Sequence, residues 1–415
     1  MILNLITPKA KGARKILLLA VIVFLLHGLL YQTFNLPNYS SYVVEIFSLL
    51  IWFYTPFKTR KNNLQVILFV FILILTFALI GALLNWVFPI NILLGFRALF
   101  MPMALFFGAA AYLSINDYHK MFSLFYKFQW LNLAYTLIKY FFFGLDSDLN
   151  NGALTGGAEQ NFFCSILMTY YFYAYHNRET TIYKLIFVFS SSFIIAILQD
   201  EKFIFITTLI IGLVYFTTKK ISFRSILYTL LLFMGIIFAT RNLRDEQQQA
   251  IGSIQNAYTY SQKTGIGYGF PRIGSSRLIS DMFFNTPTKV LFGIGLGKCT
   301  ETRAPGVDIS FTAKYGYLAY FLFTFQDVFL QTGWIGIFSF IGFFICIYIY
   351  NIKWKRKSPQ NYRWLYDIAM TISIISIVII WYNCTQRVYY AVLPYIILGM
   401  GPCITRTINT LKART

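Results

Sequence analysis

Apolar residues run through this chain in stretches long enough to cross a bilayer, separated by short polar segments. A spanning helix needs about 20 mostly apolar residues. Stretches of roughly that kind lie at 15–33, 41–57, 64–87, 92–114, 121–142, 161–176, 184–199, 202–217, 224–240, 327–350, 364–382 and 387–405. In lipid a helix satisfies its own backbone groups. The pattern therefore predicts an all-α integral membrane protein with about 12 transmembrane helices, a single polytopic domain over residues 1–415. The one long polar interruption, residues 241–320, falls between the ninth and tenth helices.

Basic residues orient these spans. Lys9, Lys11, Arg14 and Lys15 precede the first, and alternation places on the same side Lys58, Arg60 and Lys61; Lys120; Arg178; Lys219, Lys220 and Arg224; and Lys353, Lys355, Arg356 and Lys357. Arg406, Lys412 and Arg414 join them. By the positive-inside rule both termini are expected in the cytoplasm and the 241–320 loop outside. Most acids fall outside, with Asp117, Glu179 and Asp367 inside.

Composition fits a chain dissolved in lipid, with 57% hydrophobic and 12% charged residues. The formal charge of +20 reads as flanking charge facing anionic lipid heads rather than a nucleic-acid surface. Residues 15–33 read as a retained helix, because no small-residue cleavage site follows. The five cysteines lack metal-ligand spacing; Cys299 and Cys384 both fall outside, which leaves a disulfide open. His119 and His176 read as cytoplasmic and only His27 approaches the outer side, so no external multi-histidine metal site is expected. The absence of an internal repeat argues against a transporter built from duplicated halves.

Polar groups inside spans are expensive and mark function or anchoring. Arg97 stands in an otherwise apolar span and reads either as snorkelling to the outer interface or as an anion site, since its rigid fork binds phosphate oxygens bidentately. Asp200, Glu201 and Lys202 form a tight external turn that is either a solvated hairpin or part of a cavity wall. Gly156 and Gly157 precede Glu159, Gln160 and Asn161 at a helix start, where free backbone N–H groups suit an anion. Asp327 opens the tenth helix and reads as an N-cap or as a catalytic carboxylate. Arg387 opens the last helix, as an interface anchor or a phosphate contact.

Within the long loop, residues 273–287 predict a short amphipathic helix ended by Pro287, with Arg277 and Asp281 four apart on one face and Ile279, Met282 and Phe283 suited to the membrane surface. Leu291-Phe-Gly-Ile-Gly-Leu-Gly297 superficially looks like a dinucleotide-binding glycine run, but no strand–turn–helix surrounds it; a glycine-rich re-entry turn fits better. The Arg-containing helix, this glycine run and Gln326-Asp-Val-Phe-Leu-Gln-Thr-Gly333-Trp-Ile-Gly336 together resemble the O-antigen ligase and polymerase superfamily, as does the 156–161 segment. That resemblance implies a polytopic glycosyltransferase with a large external loop between its ninth and tenth helices. Ligases of the superfamily typically have His-Asn where this chain has Gln326-Asp327, which favours a Wzy-type repeat-unit polymerase. Asp200-Glu201-Lys202 also departs from the Ser-Arg pair of many relatives.

The resemblance implies transfer of undecaprenyl-diphosphate-linked oligosaccharide onto another lipid-linked repeat unit, at the periplasmic face of the bacterial inner membrane. A chain-length regulator protein is then a potential partner. The donor carries its own leaving group, so arginines suffice to neutralise departing charge and neither metal nor cofactor is expected. Arg97, Arg272, Arg277 and Arg387, with Asn161 and Lys202, are expected at the diphosphate. Asp327 is the first choice for the base, ahead of Glu159 and Asp200. An O-antigen ligase and a flippase for the same lipid-linked glycan are the alternatives.

Overall fold

The computed structural model describes residues 8–34, 39–55, 64–145, 150–218, 270 and 274–412. Every regular element among them is helical. The helices are α1 (Pro8–Phe34), α2 (Tyr39–Tyr54), α3 (Gln65–Leu84), α4 (Pro89–Leu99), α5 (Met103–Tyr112), α6 (Ile115–Phe142), α7 (Gly157–His176), α8 (Ile182–Leu198), α9 (Phe203–Thr218), α10 (Ser275–Phe283), α11 (Pro287–Phe292), α12 (Ser310–Tyr315), α13 (Thr324–Lys357), α14 (Arg363–Ile379), α15 (Val392–Leu398) and α16 (Met400–Lys412). Local chemistry sets several boundaries. Ser114 and Asp117 close a reciprocal capping box at the start of α6. Pro89 and Pro287 sit in the first turns of α4 and α11, where the missing N–H costs nothing.

Helices occupy all the expected spanning stretches except 224–240, which lies outside the described residues. Among the described residues, four helices are long and apolar enough to cross a membrane: Ala10–Tyr31, Gln65–Leu84, Thr324–Lys357 and Gln360–Ile379. A fifth is added if α4 and α5, bent by 48° at their break, count as one. Of the remaining described helices, α2, α8 and α9 are apolar but shorter than a full span, and two longer ones are polar for a physical reason. Helices α6 and α7 bury Gln129, Asn132, Thr136, Lys139, Gln160, Asn161 and Ser165 against their neighbours rather than presenting an apolar surface all round. The last expected span is split at Gly399 into α15 and α16.

Helix α13 packs along α14 on one side and α3 on the other; α14 in turn packs on α7 and α9, while α5 packs against α1, α2, α15 and α16. Segment 150–154 lies buried between helices, its polar groups satisfied by α6: Asn132 Oδ1 accepts from Ala153 N at 2.9 Å, and Lys139 Nζ donates to Gly152 O at 3.1 Å. Irregular backbone at such depth persists only where protein groups take up its hydrogen bonds. The amphipathic helix expected in the long loop is α10, but its apolar face turns inward. Ile279 and Phe283 are buried, Phe283 against Phe270, Phe311 and Tyr315, so protein rather than lipid covers them; only Met282 remains exposed.

Candidate functional site

The first turn of α13 is held by the segment that follows α14. Phe325 N donates to Ile380 O at 2.9 Å, Thr324 Oγ1 to Asn383 O at 3.2 Å, and Thr385 N to Thr324 Oγ1 at 3.2 Å. This docking brings Arg387 to Asp327, with Arg387 Nη1 3.2 Å from Asp327 Oδ2. Asp327 is 2% exposed and Arg387 16%, so the pair is shielded from screening by water. Asp327 is not an N-cap. The helix begins one turn earlier, with Phe323 at the cap, so its carboxylate is free for tertiary partners. Oδ1 accepts from Gln331 Nε2 at 2.8 Å. Asp327 Oδ2, Asn383 Nδ2, Thr385 Oγ1 and Gln386 Oε1 are all buried without a protein hydrogen-bond partner.

Helix α13 breaks just beyond this point, at Gly333 (φ 64°, ψ −163°). A break strands the carbonyls of the preceding turn, and the glycine run of the long loop supplies their donors. Ile294 N donates to Leu330 O at 2.9 Å and Gly295 N to Gln331 O at 3.1 Å. Gly297 N donates to Gln331 Oε1 at 2.7 Å. Gly297 has φ +83°, and a Cβ there would lie 1.8 Å from Asn91 O, so no other residue fits without displacement of α4. The run is thus a turn packed against α13 one helical turn beyond Asp327.

Asn91, in the first turn of α4, ties down the rest of the loop. Its Nδ2 donates to Asp308 O (2.7 Å) and Gly297 O (3.2 Å), and its Oδ1 accepts from Asp308 N (3.0 Å). Lys298 Nζ lies 2.7 Å from Asp308 Oδ2; that hydrogen bond and one from Ser310 hold the Asp308 carboxyl down at about 2. Glu301 shares the electrostatic surroundings: desolvation raises its carboxyl, and Arg387 opposes that rise. Desolvation likewise holds the Cys299 thiol well above its ordinary range. Neither Cys299 nor Cys384 forms a disulfide.

The other expected residues fall in three places. Arg97 lies near the end of α4, its Nε 3.3 Å from Glu45 on α2 and its guanidinium over the Tyr42 ring at 5.6 Å. The short turn Val388–Ala391, directly after Arg387, packs on both α2 and α4, so the two arginines sit on adjoining elements. Glu159 and Asn161 open α7, where Asn161 Nδ2 donates to Glu201 Oε2. The expected anion cradle is filled by that carboxylate, since a Cβ on Gly157 would lie 1.6 Å from Glu201 Oε1. Asp200 and Lys202 instead pair with each other at 3.3 Å in the turn. Arg277 is 89% exposed and reaches only Asp281, at 3.8 Å, so it stands apart from Asp327. Arg272 lies outside the described residues.

Sequence reasoning missed Glu45, Gln331 and the buried Lys139, and placed Glu201 in its turn without its contact to Asn161. Glu45 had a signal, a lone carboxylate inside the second apolar stretch; Gln331 had another, its place one helical turn after Asp327. Among the described residues no three His, Cys, Asp or Glu side chains converge as metal ligands would. A buried carboxylate with one oxygen beside a guanidinium can accept a hydroxyl proton while the guanidinium attracts an anion. With four or five helices among the described residues long and apolar enough to cross a bilayer, the chain has the build of a helical membrane protein. No family model and no curated protein matches it.

Proposed function

We propose that this chain is a polysaccharide polymerase of the bacterial inner membrane, a glycosyltransferase that extends a lipid-linked repeat unit from an undecaprenyl-diphosphate donor at the periplasmic face. The observation that carries the reading is the buried Asp327–Arg387 pair, set beside the glycine turn of the long loop. In this reading Asp327 takes the proton of the acceptor hydroxyl. The acceptor oxygen bonds to the anomeric carbon, and the lipid diphosphate departs with the electrons of the broken C–O bond. Arg387 meets the departing charge, with Arg97 on the adjoining helix. Guanidinium groups supply that neutralisation without a metal. Gln326-Asp327 in place of His-Asn favours polymerase over ligase.

Asp327→Asn is the deciding variant. It keeps an acceptor for Gln331 but cannot serve as a base, so cells should display single, unpolymerised repeat units. Because breaking a buried ion pair costs about 3–5 kcal/mol, membrane levels must be compared, and Asp327→Asn/Arg387→Gln should restore folding without restoring polymer. Long chains from Asp327→Asn would return the role of base to Glu159 or Asp200.

A second reading, a lipid-linked glycan transporter, draws on the buried polar seam of α6–α9. There Gln129 Nε2 donates to Ser191 Oγ at 3.0 Å, Asn132 Nδ2 to Gln160 Oε1 at 3.2 Å, and Gln199 Nε2 to Thr136 Oγ1 at 3.1 Å. Elongation by purified protein with donor and acceptor in one detergent phase, where there is nothing to cross, separates the two.

A further inference from the structure

We infer that Gln331 is a positioning residue that ties the glycine turn of the external loop to Asp327, so that loop and carboxylate take their places as one unit. The inference rests on Asp327 being the base. Its ground is the orientation of one amide. A glutamine presents a donor at one end and an acceptor at the other. The Gly297 N–H can only donate, so the atom 2.7 Å from it is Oε1; this leaves Nε2 to face Asp327 Oδ1 at 2.8 Å. Gln331 is 4% exposed, so water does not compete for either end. Its main chain is gripped by the same turn, through Gly295 N to Gln331 O at 3.1 Å.

The consequence falls on the carboxylate. With Oδ1 committed to Gln331, the oxygen left for a hydroxyl proton is Oδ2, which has no hydrogen-bond partner in the protein and faces Arg387. The Gln331 bond and the Arg387 contact lie on opposite oxygens, so together they fix the plane of the carboxylate. A turn shifted away from α13 would withdraw Oε1's partner and free the amide to rotate, and Asp327 would lose its aim without any change in its own identity.

Two variants of the full-length protein in liposomes test this. Gln331→Glu keeps an acceptor for Gly297 but sets a second buried carboxyl against Asp327, so the two share one proton and Asp327 loses its neutral amide donor and its standing as a free base; Gln331→Met removes both contacts. Hydrogen exchange at the Gly297 amide should stay slow in Gln331→Glu and rise roughly ten-fold or more in Gln331→Met, with the remainder of α13 still protected. For elongation of lipid-linked repeat units, kcat should fall roughly ten-fold or more in both variants with KM within about two-fold, the pattern of a lost transition-state interaction. A purely structural tie would leave Gln331→Glu as active as the wild type. Wild-type kcat in Gln331→Glu, or an unchanged Gly297 exchange rate in Gln331→Met, overturns the assignment. The reading beneath it fails separately, by wild-type kcat in Asp327→Asn. An inactive Asp327→Asn beside a fully active Gln331→Glu sinks only the role of Gln331.

Discussion

At the scale of single residues, Arg97 illustrates how a costly group is accommodated. It sits in the last turn of α4, where the helix dipole favours a cation, and it takes Glu45 as counter-charge and Tyr42 as an aromatic face. At 31% exposure the guanidinium still reaches the surface, so both readings open from sequence, snorkelling and anion binding, keep their geometry. They part on substitution. Arg97→Lys preserves the pairing with Glu45 but lacks the planar fork. Membrane expression should hold while polymer drops sharply, read from chain-length distributions on gels. Glu45→Gln should act the other way, costing about 2 kcal/mol, between the values for a surface and a buried pair, and showing as lower thermal stability of the purified protein. Normal-length polymer from Arg97→Ala would remove Arg97 from the donor site. The pairing itself was not legible in advance, because residues 45 and 97 lie on separate helices, α2 and α4, that both pack against the turn Val388–Ala391. Asp327 and Arg387 could be picked singly as costly charges, but nothing along the chain indicated that they face each other.

At the scale of elements, the broken helix α13 and the turn that fills its break are interdependent. The positions of most helices were readable from apolar runs, and α10 from its spacing and the following proline. The break at Gly333 was not, since glycine inside a spanning stretch is common, and what singles this one out, backbone of Leu291 and Gly293 where a Cβ would stand, comes from a distant segment. Asp327 was read as a possible cap for the same reason: an apolar window marks where a span is but not where its first turn begins. Further out, the loop's hold on Asn91 includes a titratable clasp. Lys298 keeps the Asp308 carboxyl at about 2, below the ordinary aspartate value. A depressed folded-state value adds stability that is fully present above about pH 4 and is lost as pH falls toward about 2. Residues 298–312 should therefore become susceptible to acid-active protease across that window in the wild type, whereas Asp308→Asn should be equally loose above it. A flat profile in the wild type would show that the clasp does not hold the loop.

At the scale of the whole molecule, burial and apolarity divide between two tasks. Helices such as α3 carry exposed Val66, Phe69, Ile72 and Leu83, the surface a lipid environment covers, whereas α7 is buried along nearly its full length. That division is why fewer of the described helices pass a test of length and apolarity than there are apolar runs: a helix surrounded by protein has no need to be apolar all round. Orientation is testable directly. Ala304→Cys should react with a membrane-impermeant maleimide added outside intact cells, and Lys412→Cys only after permeabilisation, as expected if the loop is external and the tail cytoplasmic. The reverse pattern would invert the molecule and remove the periplasmic site.

The carbonyls of Leu330 and Gln331, which accept from Ile294 and Gly295, also bear on where this protein can be opened for engineering. The loop's two stretches have unequal standing. Residues 303–306 are exposed and make no hydrogen bond to α13, whereas residues 293–297 complete the backbone of a helix. An epitope or fluorescent tag spliced between Pro305 and Gly306 should leave expression and polymer close to normal, as exposed loop tips usually permit. The same tag between Gly295 and Leu296 would pull the donors out of the break, leaving two buried carbonyls unpaired beside the candidate base. That protein should be degraded rather than merely inactive.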